Sequence, residues 1–343
     1  MNLQKILHAA LPAVLALGLA ACATTHDMST TGASAPAMAG DPIMGDWQGY
    51  RVTTSGTVLP LAVQIVSYGE NSYEAAVSEN FEYRDPDRFV VPLQRKGDAF
   101  TTPDDPGFRA TIKDGVLNGS SPRGNIATFT LRKVQRTSPT MGALPPAGAL
   151  VLFDGKDLSQ WKVAAKDERP AGWKLVDGAM EVAPGSGSIV TKKTFKDCDL
   201  HLEFRTPYLP TKRGQERGNS GVYMQGRYEI QVLDSYGLPG EDNECGGIYK
   251  VAAPRVNMCA PPGQWQTYDI NFRAPRVDAD GKVTSPALVT VRHNGVIIHK
   301  NLPIPGPTGG ALDEHMQDPG GLCLQDHGNP VQYRNIWLVE PGR

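Results

Sequence analysis

Short runs of alternating apolar and polar residues, broken by Gly, Pro, Asn and Asp, recur from Gly45 almost to the last residues of this chain. Neighbouring side chains on a strand point to opposite faces, so a period of two marks half-buried strands. No segment carries a long 3.6-residue period, so long amphipathic helices are not expected. The clearest alternation lies in RGNSGVYMQGRYEIQVLDSY, Arg217 to Tyr236, which reads as two strands around a tight Gln225-Gly226-Arg227 turn. In its second strand Tyr228, Ile230 and Val232 oppose Glu229 and Gln231; in its first, Val222 and Met224 oppose Tyr223 and Gln225. The same parity sets Leu200, Leu202 and Phe204 against His201, Glu203 and Arg205. It also sets Leu322 and Leu324 against Cys323, Gln325 and His327. The apolar sets predict core. If the segments share one sheet, His201, Glu203, Arg205, Glu229, Gln231, Gln325 and His327 form one polar floor. Alternation alone leaves that sheet assignment open.

The runs fall into two groups. Residues 45–136 hold GDWQGYRV, LAVQIVSYG, YEAAVS, FVVPLQRKG, FRATIKDG and ATFTLRKV, which predict a small barrel or sandwich of about six strands with an accessory role. Its acids Glu79, Asp104 and Asp105 are scattered and read as solvated loop residues. Residues 137–148, TSPTMGALPPAG, read as a stiff non-helical linker, which predicts that the part after it folds and works alone. From Ala149 to residue 343, about eleven strand-like runs follow. Asn294-Gly295 and Asp177-Gly178 mark hairpin turns between them. The predicted class is all-β, with a two-sheet jelly roll as the second domain.

Composition narrows the function classes. With 343 residues, 37 Gly, 28 Pro and a formal net charge of −2, the chain has no basic patch to attract nucleic acid. Lys5 precedes an apolar run, Ile6 to Ala21, that is too short to span a bilayer. The run ends Leu19-Ala20-Ala21-Cys22, which resembles the bacterial lipobox. The expectation is a lipoprotein signal peptide over 1–21, lipidation of Cys22 and a flexible tether over 22–44. An ordinary secretory signal cut after an Ala is the competing reading. Ala23 in place of Asp favours the outer membrane, with the protein on the periplasmic side and held only by its lipid. Export permits disulfides, and Cys245 and Cys259 bracket one loop, so they are predicted to pair. By parity Cys198 faces the core and Cys323 the polar floor; both read as buried thiols.

Longer matches carry a family resemblance. LFDGKDLSQW (152–161), RGNSGVYMQGRYEIQVLDS (217–235), GGIY (246–249), the Trp265 strand and LQDHGNPVQYRNIWL (324–338) resemble the 3-keto-disaccharide hydrolase family. That family is also described as a 3-keto-glucoside 1,2-lyase and 3-keto-2-hydroxyglucal hydratase domain. The resemblance covers about residues 149–340. It implies a concanavalin-like jelly roll and a sugar substrate oxidised at C3 by a separate, upstream 3-dehydrogenase. Some members carry a similar N-terminal β-domain and SPTxGAxPPAGA linker.

A C3 ketone acidifies the C2 proton. A base can remove it, the C1 substituent then leaves by β-elimination, and water adds back. Such a site needs a base near C2, a donor for the C3 oxyanion and an acid for the leaving oxygen. Glu203, Glu229 and His327 are the candidate catalytic groups. Arg205, Asn219, Tyr223, Gln231 and Gln325 are candidates for holding hydroxyls or the oxyanion. Cross-strand pairing is an equal reading for Glu203 with Arg205. His201 is left out, and His293 and His299 read as surface residues. Asp234, Glu229 and Asp326 are close in motif, so a divalent metal stays open, although no HxH, HExxH or Asp-rich calcium loop appears. No other cofactor is implied. The loop with Asp313-Glu314-His315 reads as a solvated acidic loop. Two other functions compete: a non-catalytic carbohydrate-binding module, and a hydrolase of unmodified glycosides using two carboxylates.

Overall fold

The computed structural model describes residues 41–102, 107–121, 125–166 and 168–341. Cys22, Asp104 and Asp105 lie outside them. Among the described residues every long regular element is a strand, and no helix is long and apolar enough to cross a membrane.

The first group of strands closes into an eight-stranded antiparallel barrel. Its ends meet where Gly45–Thr53 pairs with Ile126–Val134. Trp47, Leu61, Ile65, Phe100 and Leu131 fill its interior. Two of its strands were not legible as such. Ala99–Thr101 is three residues long, and Val116–Ser121 (VLNGSS) has only two large apolar residues.

The second group forms a sandwich. One sheet of five strands has the spatial order Trp161–Val163, Ile189–Thr191, Cys323–Leu324, Ser220–Met224, Tyr228–Val232. The other has eight strands, with Cys198–Arg205 between Gln332–Val339 and Gln266–Arg273 near its centre. The apolar sets predicted from parity face each other here. Leu200, Leu202 and Phe204 meet Val222, Met224, Ile230, Val232 and Leu324 in one buried cluster. Each such fully buried aliphatic side chain contributes about 1.5–3 kcal/mol. The geometry corrects the single polar floor: His201, Glu203 and Arg205 belong to one sheet, and Glu229, Gln231 and Gln325 to the opposite face of the sandwich.

The stretch 137–148 does not span a gap. It lies as a strap on the outside of the eight-stranded sheet. Ser138 Oγ is 2.6 Å from Thr267 Oγ1, and Thr140 Oγ1 donates to Asp269 Oδ2 at 2.6 Å. Gly142 N donates to Glu203 Oε1 at 2.6 Å, and Asn335 Nδ2 donates to Ala143 O at 2.9 Å. The barrel also packs on the sandwich. Met44 and Val66 join the sandwich core, and the buried Tyr236 hydroxyl donates to Asp46 at 2.8 Å.

Three further expectations are corrected. Cys245 and Cys259 are free thiols buried in the core, where their side chains meet without a disulfide bond; Cys245 Sγ sits 3.2 Å from the Tyr268 hydroxyl. His293 and His299 are buried rather than exposed. Burial holds the His293 imidazole down near about 3, so it is a neutral partner of Gln266 at 2.7 Å. His299 contacts Gly246 O at 2.7 Å. Both sit on a hairpin whose neighbours cover it, which parity cannot reveal.

Candidate active site

The hairpin Ser220–Met224 and Tyr228–Val232 builds the floor. Gln225 (φ 53°) and Gly226 (φ 68°) both adopt the left-handed region, the two-residue turn that matches strand twist. The resulting register sets Tyr223 opposite Glu229, and Gly221 opposite Gln231. Cys323–Leu324 pairs on the far side of Ser220–Met224, which brings Gln325 and His327 to the same face. Beyond His327 the chain turns back, and Asn329 Oδ1 accepts from Gly218 N at 2.6 Å, tying this turn to the start of the floor strand.

These elements line an open pocket of about 220 Å³. Six predicted residues line it: Asn219, Tyr223, Glu229, Gln231, Gln325 and His327. Four more were not predicted, namely Gln215, Tyr249, Gly309 and Gly310. Tyr249 lies in the GGIY stretch, and its ring packs against Gly309, where an added Cβ would sit 3.4 Å away. The loop read as solvated is a wall. Thr308 Oγ1 accepts from Glu229 N at 2.9 Å, and Leu312 N donates to Gly226 O at 2.8 Å. Buried Arg227 anchors it, pairing with Asp313 at 2.5 Å and donating to Asp318 O at 2.9 Å. The adjacent Gly309 and Gly310 were the available signal: at Gly310 an added Cβ would lie 2.7 Å from the Tyr223 hydroxyl.

Glu229 is the electrostatic centre. It is 2% exposed, and burial pushes its carboxyl up to about 8, an effect only partly offset by the neighbouring Tyr223 hydroxyl. The Tyr223 hydroxyl is in turn raised well above its ordinary value, chiefly by burial and then by Glu229. Gly221 leaves room for the carboxylate, since a Cβ there would lie 2.4 Å from Glu229 Oε1. Neither lysine nor arginine lines the pocket, and Glu229 is its one carboxylate among the described residues.

Glu203 and Arg205 are not part of this site. Glu203 lies under the strap and is 1% exposed. Burial would raise its carboxyl, but the His201 ring 3.8 Å away and hydrogen bonds from Asn335, Arg334 and Gly142 outweigh that and hold it at about 2. Its Arg334 contact is 2.6 Å. Arg205 donates to Gln332 at 2.5 Å and stacks 4.7 Å over Trp265. The three proposed metal ligands also separate. Asp234 is buried against Arg217 at 2.6 Å, and Asp326 accepts from Gly185 N and Gly187 N at 2.9 and 3.0 Å. No group of three or more His, Cys, Asp or Glu among the described residues is placed to hold a metal ion.

Residues 148–339, more than half of the chain, match the family described as the 3-keto-alpha-glucoside-1,2-lyase-like domain. The chain belongs to this family. A curated 3-keto-disaccharide hydrolase from Bacteroides thetaiotaomicron is 23% identical over 236 residues, spanning 55% of this chain and 77% of that protein. A crystal structure of a candidate glycosyl hydrolase from Parabacteroides distasonis is 39% identical, with a TM-score of 0.52. That match covers 57% of this chain and 84% of that one. The family accounts for the all-β sandwich and places the chain among enzymes of the glycosidic hydrolase type.

Proposed function

We propose that the chain cleaves 3-keto-glycosides by removing the C2 proton, expelling the C1 substituent and rehydrating the product. The observation that carries this reading is Glu229: a buried carboxylate with its affinity for protons raised to about 8 is a strong base for a carbon acid at near-neutral pH. The family and the name of the curated relative support the substrate class.

In this reading Glu229 takes the C2 proton, and the C2–H electrons form the enediolate with C3. Collapse of the enediolate breaks the C1–O bond. His327, on the exposed rim, protonates the departing oxygen. Water then adds at C1 of the resulting enone, and a proton returns to C2. The sum is hydrolysis. Arg205 cannot serve the C3 oxyanion, because it lies on the other sheet; Tyr249 on the pocket wall takes that role. Asn219, Gln231 and Gln325 hold hydroxyls. A glycosidase acting on unmodified sugars needs a second carboxylate, which the pocket's described residues lack.

The test is product analysis with one disaccharide before and after oxidation at C3. Cleavage of the oxidised form alone is expected; equal cleavage of both would return the case to an ordinary glycosidase. We also propose a lipid anchor at Cys22 on the periplasmic side, motivated by Leu19-Ala20-Ala21-Cys22. Replacing Cys22 with Ser should release the protein from membranes; equal fractionation of both forms would reject the anchor.

A further inference from the structure

Three residues of the pocket lining, Asn219, Gln231 and Gln325, each bury a side-chain amide oxygen that has no hydrogen-bond partner. Buried acceptors without a partner are uncommon and costly, so three in one pocket point to a ligand that supplies donors. Their orientation follows from their neighbours. Gln215 Nε2 donates to Asn243 O at 2.8 Å. A backbone carbonyl only accepts, so the other end of that amide, Oε1, must be the acceptor. It receives Asn219 Nδ2 at 3.2 Å and Gln231 Nε2 at 3.1 Å. Asn219 Nδ2 also donates to Gln215 O at 2.8 Å. Both amides therefore commit their NH2 groups to Gln215 and leave their oxygens, at the pocket lining, without a donor. A second chain does the same. The Tyr223 hydroxyl gives its one proton to Gly309 O at 3.1 Å. Toward Gln325 it can only accept, and Gln325 Nε2 donates to it at 3.1 Å. Gln325 Oε1 is left without a donor.

We propose that Gln215 is a specificity-setting positioning residue: working with Tyr223, it fixes the pocket as an array of acceptors that selects sugars through free hydroxyl donors. The proposal rests on the reading of the pocket as a sugar site, but not on the ketone chemistry. A hydroxyl capped as an ether has no proton to offer, and each acceptor left unpaired weakens binding by about 5- to 100-fold. The C3 ketone, itself an acceptor, is turned away from these three oxygens and toward the wall that carries Tyr249.

The test uses methyl glucosides and their mono-O-methyl derivatives, each plain and oxidised at C3, titrated calorimetrically against the full chain. With the natural sequence, capping at least one hydroxyl other than C3 should weaken binding by about 30-fold or more. Gln215→Met removes the lock; that discrimination should fall below about 5-fold, with KM for an oxidised glucoside raised about tenfold and kcat little changed. Gln215→Glu keeps an acceptor for both amides but loses the donor to Asn243 O, and should restore part of the discrimination, to about 10-fold or more. A merely structural role for Gln215 would lower stability in both variants and leave the ratio alone. Equal binding of capped and free sugars, or no binding of either, overturns the proposal even if Gln215→Met does not fold. Loss of ketone dependence with discrimination intact would reject the cleavage mechanism and leave this proposal standing.

Discussion

The two outer faces of the sandwich start from one sequence pattern and end with opposite chemistry. On the eight-stranded sheet Glu203 has several partners, and the strap seals it from water. Its carboxyl is held down at about 2, which fixes it as an anion within an ion pair. On the five-stranded sheet Glu229 is as deeply buried but has a neutral phenol instead of cations for company, and its proton is held up to about 8. Burial is shared; partnership differs. A satisfied carboxylate contributes structure, whereas an under-satisfied one stores the capacity to take a proton.

The sharpest way to break this comparison is to neutralise each acid in turn. Glu229→Gln should lower kcat by about 10²-fold or more while the protein stays folded. Glu203→Gln should do the reverse, leaving kcat within a few-fold. It should lower Tm by about 3–10 °C, because Arg334 and the Gly142 N–H lose a charged acceptor. Steady-state kinetics and thermal melts on both variants decide it; a large kcat loss in Glu203→Gln would return that residue to the site. Gly221→Ala should cost about tenfold in kcat, because the new Cβ must displace the Glu229 carboxylate by steric overlap. Activity unchanged in that variant would show that the carboxylate position does not matter.

Much of this arrangement was legible in the residues. Parity assigned Val222, Met224, Ile230 and Val232 to the core and Tyr223, Glu229 and Gln231 to a polar face, as found. What parity cannot carry is sheet membership, since a strand alternates identically in either sheet; Glu203 and Arg205 were misplaced for that reason. The strap was hidden differently. Its Pro and Gly content reads as a tether, and the contact made by Gly142 is a backbone hydrogen bond that leaves no trace in residue type. Wall residues such as Gly309 and Gly310 reach the pocket only through long-range packing.

The strap sharpens the comparison further. A chain beginning at Ala149 uncovers Glu203 and removes Met44 and Val66 from the core, so its Tm should fall, although the pocket residues all remain. A Tm equal to that of the full chain would mean that strap and barrel add nothing to the sandwich. The pH dependence of stability differs in sign between the two faces. Glu229 binds its proton more tightly folded than unfolded, so its contribution is full below about 4.5 and is lost as pH rises toward about 8. Glu203 contributes above about 4.5 and loses that contribution as pH falls toward about 2. Thermal melts across pH should therefore show Glu229→Gln gaining on the natural chain from pH 5 to pH 9; a constant gap would contradict the raised proton affinity.

The central claim is that Glu229 removes a proton from C2 of an oxidised sugar. Running the reaction in deuterium oxide and reading the product by NMR tests it most directly. The account predicts deuterium at C2 of the released 3-keto sugar, and its loss together with turnover in Glu229→Gln. Complete cleavage with only hydrogen at C2 would contradict it.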